Sequence, residues 1–243
     1  MRLEFFGVMP PLKNLSAEQA TEAAGSLCWR CQSAVAADAH FCPMCGRIQP
    51  AVAMDHFTFF GLPRKLEIDV PALEKEFYRL SRRLHPDVTA TAAADEQRWG
   101  LEKSSQLNDA WRTLKDPIAR TQYLLQLEGA RMEEQSASRT GATVPPELLE
   151  EVFELNMQLQ QMRAAGSADP GLCQELEAAE QRFQEMLAGV DAELKILWRQ
   201  WDALSPSAAD AQRLGVRDAM VALLNRRSYV RNLVRNVAAA LEE

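Results

Sequence analysis

Apolar residues in this chain recur at steps of three and four, and almost never at every second position. An α-helix returns to the same face after about 3.6 residues, whereas a strand alternates faces, so this spacing selects helices. Over residues 146–165 the seam is Leu148, Val152, Leu155, Leu159 and Met162. Over 171–204 it is Leu172, Leu176, Phe183, Leu187, Val190, Leu194, Leu197, Trp201 and Leu204. Over 207–242 it is Met220, Leu223, Val230, Val234, Val237 and Leu241. Short polar breaks, "GSADPG" and "SPSAAD", separate the three. Each seam must be buried against another, which predicts an antiparallel three-helix bundle over 146–243.

Residues 55–129 continue the pattern. Asp69 is a cap for a helix over about 70–84, with Pro71 in its first turn and Leu73, Phe77, Leu80 and Leu84 on one face. A second long helix runs to Asp116, where Pro117 restarts the chain as a short helix that ends at Gly129. The expected fold class is therefore all-α, a helical hairpin followed by the bundle. Residues 1–27 read as a flexible leader. They lack the basic start and long apolar core of an export signal and the arginines of a mitochondrial presequence. A cytoplasmic protein is the expectation, with a mitochondrial matrix protein after presequence removal as the alternative. No run approaches the ~20 apolar residues that span a bilayer, so no membrane partner is expected.

Residues 28–50 differ. "CWRCQSAVAADAHFCPMCGRIQP" places Cys28 and Cys31 in one Cys-x-x-Cys and Cys42 and Cys45 in another. A two-residue gap lets both thiolates of a turn face one ion, and Gly46 suits the positive φ that follows. Two such turns supply the four sulfurs of a closed structural zinc site, Zn2+, with no open position for catalysis. Iron would fit the same cage, and two redox pairs are the rival reading. His40 could stand in for a ligand, but four cysteines suffice. His56 reads as a surface or packing residue, and Cys173 as a small buried hydrophobe.

The run "YRLSRRLHPDVTA" is the second departure. Lys75, Arg79, Arg82 and Arg83 crowd one helix of a chain whose net charge is −7. Such a stripe steers an acidic partner. The helix then stops at His85-Pro86-Asp87. A His and an Asp two apart suggest a catalytic pair, but no Gly-x-Ser-x-Gly elbow or phosphate-cradling loop accompanies them, and the enzyme reading fails. The overall charge argues against nucleic acid, because only Arg30 and Arg47 lie near the cysteines.

"FFGLP", the basic helix, "HPD" and "LNDAWRTLKDPIARTQYLL" together resemble the J-domain of the HscB/Jac-type iron–sulfur co-chaperones over residues 57–129. The double Cys-x-x-Cys resembles the zinc-bearing subclass. The resemblance implies a J-domain over 55–129 that stimulates a DnaK/HscA-type ATPase, with His85, Pro86 and Asp87 touching that chaperone and the basic helix docking on it. The chain itself would not be an enzyme.

Beside the first bundle seam, Leu149, Phe153 and Met157 form a second apolar ridge, roughly 100° away. It either packs against another helix or binds a partner. Tyr229 sits beside the core residue Val230, off that seam, and suits a hot spot. "LLEEVFELNMQL" is similar to the family segment that binds the IscU-type scaffold. That likeness implies Leu148, Leu149, Phe153, Glu154 and Tyr229 as scaffold contacts. Glu150 and Met157 depart from it, an acid where an apolar residue is frequent and an apolar residue where an acid is frequent. A general J-protein for unfolded clients and a zinc-module nucleic-acid binder are the rival readings. The first lacks its usual Gly/Phe-rich linker here. Whether the chain is a monomer or a homodimer is open.

Overall fold

The computed structural model describes residues 25–130, 148–165, 170–204 and 210–241. Eight helices and two strands lie among them: β1 (Ser26–Leu27), β2 (Ala34–Val35), α1 (His56–Phe59), α2 (Val70–Leu84), α3 (Pro86–Thr89), α4 (Ala94–Lys115), α5 (Pro117–Leu127), α6 (Leu149–Ala165), α7 (Pro170–Ala203) and α8 (Asp210–Leu241). The chain is mostly helical, and its strands form one antiparallel pair, Ser26 opposite Val35 and Leu27 opposite Ala34, so the last residues of the expected leader are instead a strand of the cysteine module. None of the described helices is long and apolar enough to cross a membrane. Residues 1–24 of the leader, the linker 131–147 and residues 166–169 and 205–209 of the two bundle breaks lie outside the described residues.

The chain forms two compact units. One holds the described residues up to Gly61 together with Lys75–Ala110; the other holds Leu62–Glu74 and the described residues from Trp111 onward.

In the first unit, α2 buries Leu80 and Leu84 and leaves its cations outward. Pro86 does more than stop the helix. It opens the one-turn α3, with His85 as its cap. Pro is favoured in a first helical turn because its missing N–H has no partner there anyway.

In the second unit, Asp69 caps α2 as its position predicts, accepting from the Ala72 N–H at 3.0 Å. Asp116 does the same for α5, accepting from the Ala119 N–H at 2.6 Å. Gly129 closes α5 at φ 72°. Asp202 of α7 accepts from two successive backbone N–H groups, Leu66 at 2.8 Å and Glu67 at 2.7 Å. Arg120 donates to the carbonyls of Leu66 and Leu114. These contacts tie the segment before α2, and α5, into one body with the bundle.

The bundle core is Leu148, Leu155, Leu176, Ala179, Phe183, Val230, Leu233 and Val237. The predicted seams hold, with single-position slips. Trp198 is buried while Leu197 is half-buried, and Leu224 and Leu233 are buried where Leu223 and Val234 were expected. Each slip is local: Leu194, Trp201, Met220, Val230 and Val237 are buried as expected, and between them a step of three or of four both fit a 3.6-residue turn. Met162's side chain lies outside the described residues.

Candidate functional site

The four-cysteine cage stands in the first unit. Its two turns are built alike. Gln32 N–H donates to the Cys28 carbonyl and Gly46 N–H to the Cys42 carbonyl, each at 2.9 Å. The residue after each pair has positive φ: Gly46 at 70°, as its type predicts, and Gln32 at 62°, which no residue-type signal announces. The four Sγ atoms all lie within 4.8 Å of one another, with Cys28–Cys45 and Cys31–Cys42 at 3.7 Å. A disulfide needs about 2.05 Å, so these sulfurs are not bonded in pairs. Zn–S bonds of about 2.3 Å in a tetrahedron put sulfurs roughly 3.8 Å apart, which these pairs match.

The electrostatics agree with that fit. The Ser33 hydroxyl, 3.3 Å from Cys42, and then the Cys45 N–H hold the Cys42 thiol down at about 6. Cys45 is pushed up to about 12: the backbone at Arg47 pulls it down, but burial and its three neighbouring thiols outweigh that. Four thiolates so close cannot all ionise without a cation among them. His40 is not a ligand. Its Nε2 donates to the Phe59 carbonyl at 2.8 Å, which leaves Nδ1 to accept from Lys103, 3.5 Å away.

Those contacts dock the cysteine segment on the hairpin within the same unit. Trp29 donates to the Ile48 carbonyl at 2.8 Å and meets Trp99 edge-on at 5.8 Å. Arg47 pairs with the buried Glu96 at 3.3 Å. Lys103 is 1% exposed, and burial lowers its ammonium to about 8. Sequence reasoning missed Lys103, Glu96 and the role of His40, because a charged residue on a helix signals solvent unless its buried partner is known.

The His85-Pro86-Asp87 corner is exposed, with the His85 side chain 55% accessible and Asp87 89%. Asp87 N–H donates to His85 Nδ1 at 3.2 Å. Nδ1 is therefore the acceptor, and in the neutral ring the proton sits on Nε2. The corner thus offers an N–H donor and a carboxylate on a stiffened turn. Gln97 braces the loop beyond it, donating to the carbonyls of Ala90 at 3.1 Å and Ala92 at 2.9 Å. All four cations are exposed. Arg79 is paired with Glu76 at 2.7 Å, and the Arg83 guanidinium lies 3.6 Å above the Phe41 ring.

The ridge stands in the second unit. Leu149, Phe153 and Met157 are 54%, 68% and 46% exposed, so they are not packed against another described helix of the chain. Glu154 is exposed beside them, and Glu150 with it. Tyr229 is half-buried against the bundle core, where burial raises its phenol above the ordinary value. Leu148 is a correction. At 1% exposure it belongs to the core, so it supports the ridge from below and offers no contact surface. Its step of seven to Leu155 carries the core signal. Cys173 is half-buried rather than buried.

No family model matches the chain. It is 32% identical over 160 residues to the co-chaperone protein HscB homolog of Vibrio vulnificus, covering 66% of this chain and 88% of that protein. It is 37% identical over 136 residues to the HscB homolog of Bordetella avium, covering 56% of this chain and 79% of that protein. Among solved structures, chaperone HscB from Vibrio cholerae aligns with a TM-score of 0.53 at 28% identity, over 76% of this chain and 96% of that one. The human co-chaperone protein HscB shares the fold, with a TM-score of 0.58 at 23% identity over 88% of this chain and 98% of that one. A hairpin with an exposed His-Pro-Asp corner, followed by a three-helix bundle, therefore comes with relatives matched over most of their length: the chain belongs to the HscB family of J-type co-chaperones.

Proposed function

We propose that this co-chaperone of iron–sulfur cluster biogenesis stimulates the ATPase of a DnaK/HscA-type chaperone and delivers to it an IscU-type scaffold protein. The observation that carries the reading is the exposed corner itself. His85 Nε2–H and the Asp87 carboxylate point to solvent on a Pro-stiffened turn. Lys75, Arg79, Arg82 and Arg83 extend that surface with positive charge on a chain of net charge −7. An acidic face on the chaperone would be steered to them, and the corner would then make the close contacts. Leu149, Phe153 and Met157, flanked by Glu154 and Tyr229, form an apolar ridge with a polar rim, the anatomy of a protein-binding surface. The chain performs no chemistry on its own account.

Cys28, Cys31, Cys42 and Cys45 would hold one Zn2+, which supplies folding free energy and no catalysis. Unbonded thiols suit a reducing compartment, in keeping with a cytoplasmic protein.

The test is ATPase turnover of a purified DnaK/HscA-type chaperone with this protein, with and without an IscU-type scaffold. Stimulation that rises further with scaffold is expected. His85→Gln should abolish stimulation while far-UV circular dichroism stays unchanged. Leu149→Ala with Phe153→Ala should weaken scaffold binding about tenfold or more and leave scaffold-free stimulation intact. Undiminished stimulation by His85→Gln would sink the reading. Equal stimulation with any unfolded polypeptide in place of the scaffold would favour a general J-protein.

A further inference from the structure

Phe41 belongs to the cysteine segment, yet its ring faces a cation of the docking helix. It precedes Cys42 directly and bridges Ile48 across the second turn. Its neighbour His40 is bound to the Phe59 carbonyl, and Arg47 of the same turn is paired with Glu96 of α4. The ring is thus fixed at both sides. The Arg83 guanidinium lies over it at 3.6 Å, two residues before His85.

Stacking uses the face of a guanidinium and leaves its five N–H donors free in the plane. A stacked arginine can still bind a carboxylate with two parallel bonds, and it loses less side-chain freedom when it does so. Arg79 is held by Glu76 instead, an ion pair that occupies its N–H edge. Lys75 and Arg82 have no such partner among the described residues. Arg83 is therefore the one cation of the four that is held in place without using any of its donors.

We infer that Phe41 is a positioning residue for chaperone docking: the cysteine module, through this ring, pre-orders Arg83 beside the His85-Pro86-Asp87 corner. The inference rests on the proposed chaperone-stimulating function. It assigns the module a part in that function beyond its own folding.

The test uses the full, zinc-loaded chain and a purified DnaK/HscA-type chaperone. Phe41→Leu keeps apolar volume and removes the aromatic face. It should raise the concentration for half-maximal ATPase stimulation about three- to fivefold, with maximal stimulation unchanged. Phe41→Tyr should restore it. Arg83→Ala should raise it by at least as much, and Phe41→Leu added to Arg83→Ala should raise it no further. The Arg83 side-chain proton resonances should be shifted upfield by the ring current in wild type and Phe41→Tyr, and not in Phe41→Leu. An unchanged half-maximal concentration in Phe41→Leu overturns the inference. A lowered one also overturns it, since the ring would then be withholding Arg83. Should Phe41→Leu lose zinc, Arg83→Lys, which leaves the module untouched, decides: a raised value supports the inference and an unchanged one overturns it. If wild type fails to stimulate at all, the proposed function falls and this inference with it; if wild type stimulates and Phe41→Leu matches it, the inference alone falls.

Discussion

The cysteine segment and the bundle hold themselves together by opposite means. The segment buries a core of Cys28, Val35 and Cys42, with Ala39 beside it, and two of its three core members are metal-ligand candidates. The bundle buries Leu148, Leu155, Leu176, Ala179, Phe183, Val230, Leu233 and Val237, with seven more apolar side chains against them. At about 25 cal/mol per Å2 of apolar area, three small side chains cannot offset the entropy of ordering some twenty residues. One region therefore concentrates its stability in a single ligand set, and the other spreads it over three helices. A concentrated design fails at one atom, while a distributed one fails by degrees.

Removing the metal that the four cysteines are proposed to hold is the largest break. Structural zinc contributes on the order of 10–16 kcal/mol apparent in finger peptides. A strong chelator, or Cys42→Ser, should abolish zinc binding and the near-UV signal of Trp29 against Trp99, and leave the far-UV helical signal nearly whole. A bundle that melted with the module would erase the contrast. Next in size, Phe183→Ala should cost about 3–5 kcal/mol in denaturant unfolding of the bundle, with zinc content unchanged, because a 2%-exposed ring leaves a cavity.

Lys103→Met probes the joint by which the segment is docked. Burial lowers the Lys103 ammonium from 10.5 to about 8. Between those values the unfolded chain binds more protons than the folded one, so wild-type stability rises with pH across that window. Below about pH 8 the cost of the buried charge is present in full. Lys103→Met should therefore stabilise the protein by roughly 2–3 kcal/mol below pH 8, with the gain fading towards pH 10.5. A stability difference independent of pH would show that His40 compensates the charge. The smallest effect is at the surface of the second unit. Arg199→Ala removes an exposed pair with Glu67 at 3.3 Å and should change unfolding by less than about 0.5 kcal/mol.

Much of the candidate site was legible because its signals are local. Two Cys-x-x-Cys pairs name their own ligands, and a proline after a histidine names its own corner. Asp69 and Asp116 cap the helices their positions predict, since a cap acts on a backbone N–H three residues on. The ridge was legible by period, and so was most of the core. Leu148 is core by its period and a scaffold contact by the resemblance; its burial bears out the period, and Leu149 beside it faces the other side of the helix. Trp198, Leu224 and Leu233 each lie four or three residues from a correctly placed seam residue and beside another apolar residue at the alternative step, and a 3.6-residue period does not choose between the two.

The residues alone determined an all-helical chain, a four-thiolate cage and a cationic helix ending at a stiff corner, because helix period, caps and ligand spacing act over four residues or fewer. Only the tertiary structure decided that Lys103 is buried against His40, that Arg47 meets Glu96 and that Phe41 lies under Arg83. Those pairs are 42 to 63 positions apart in the chain. Contacts at that separation come from packing, which no local pattern encodes.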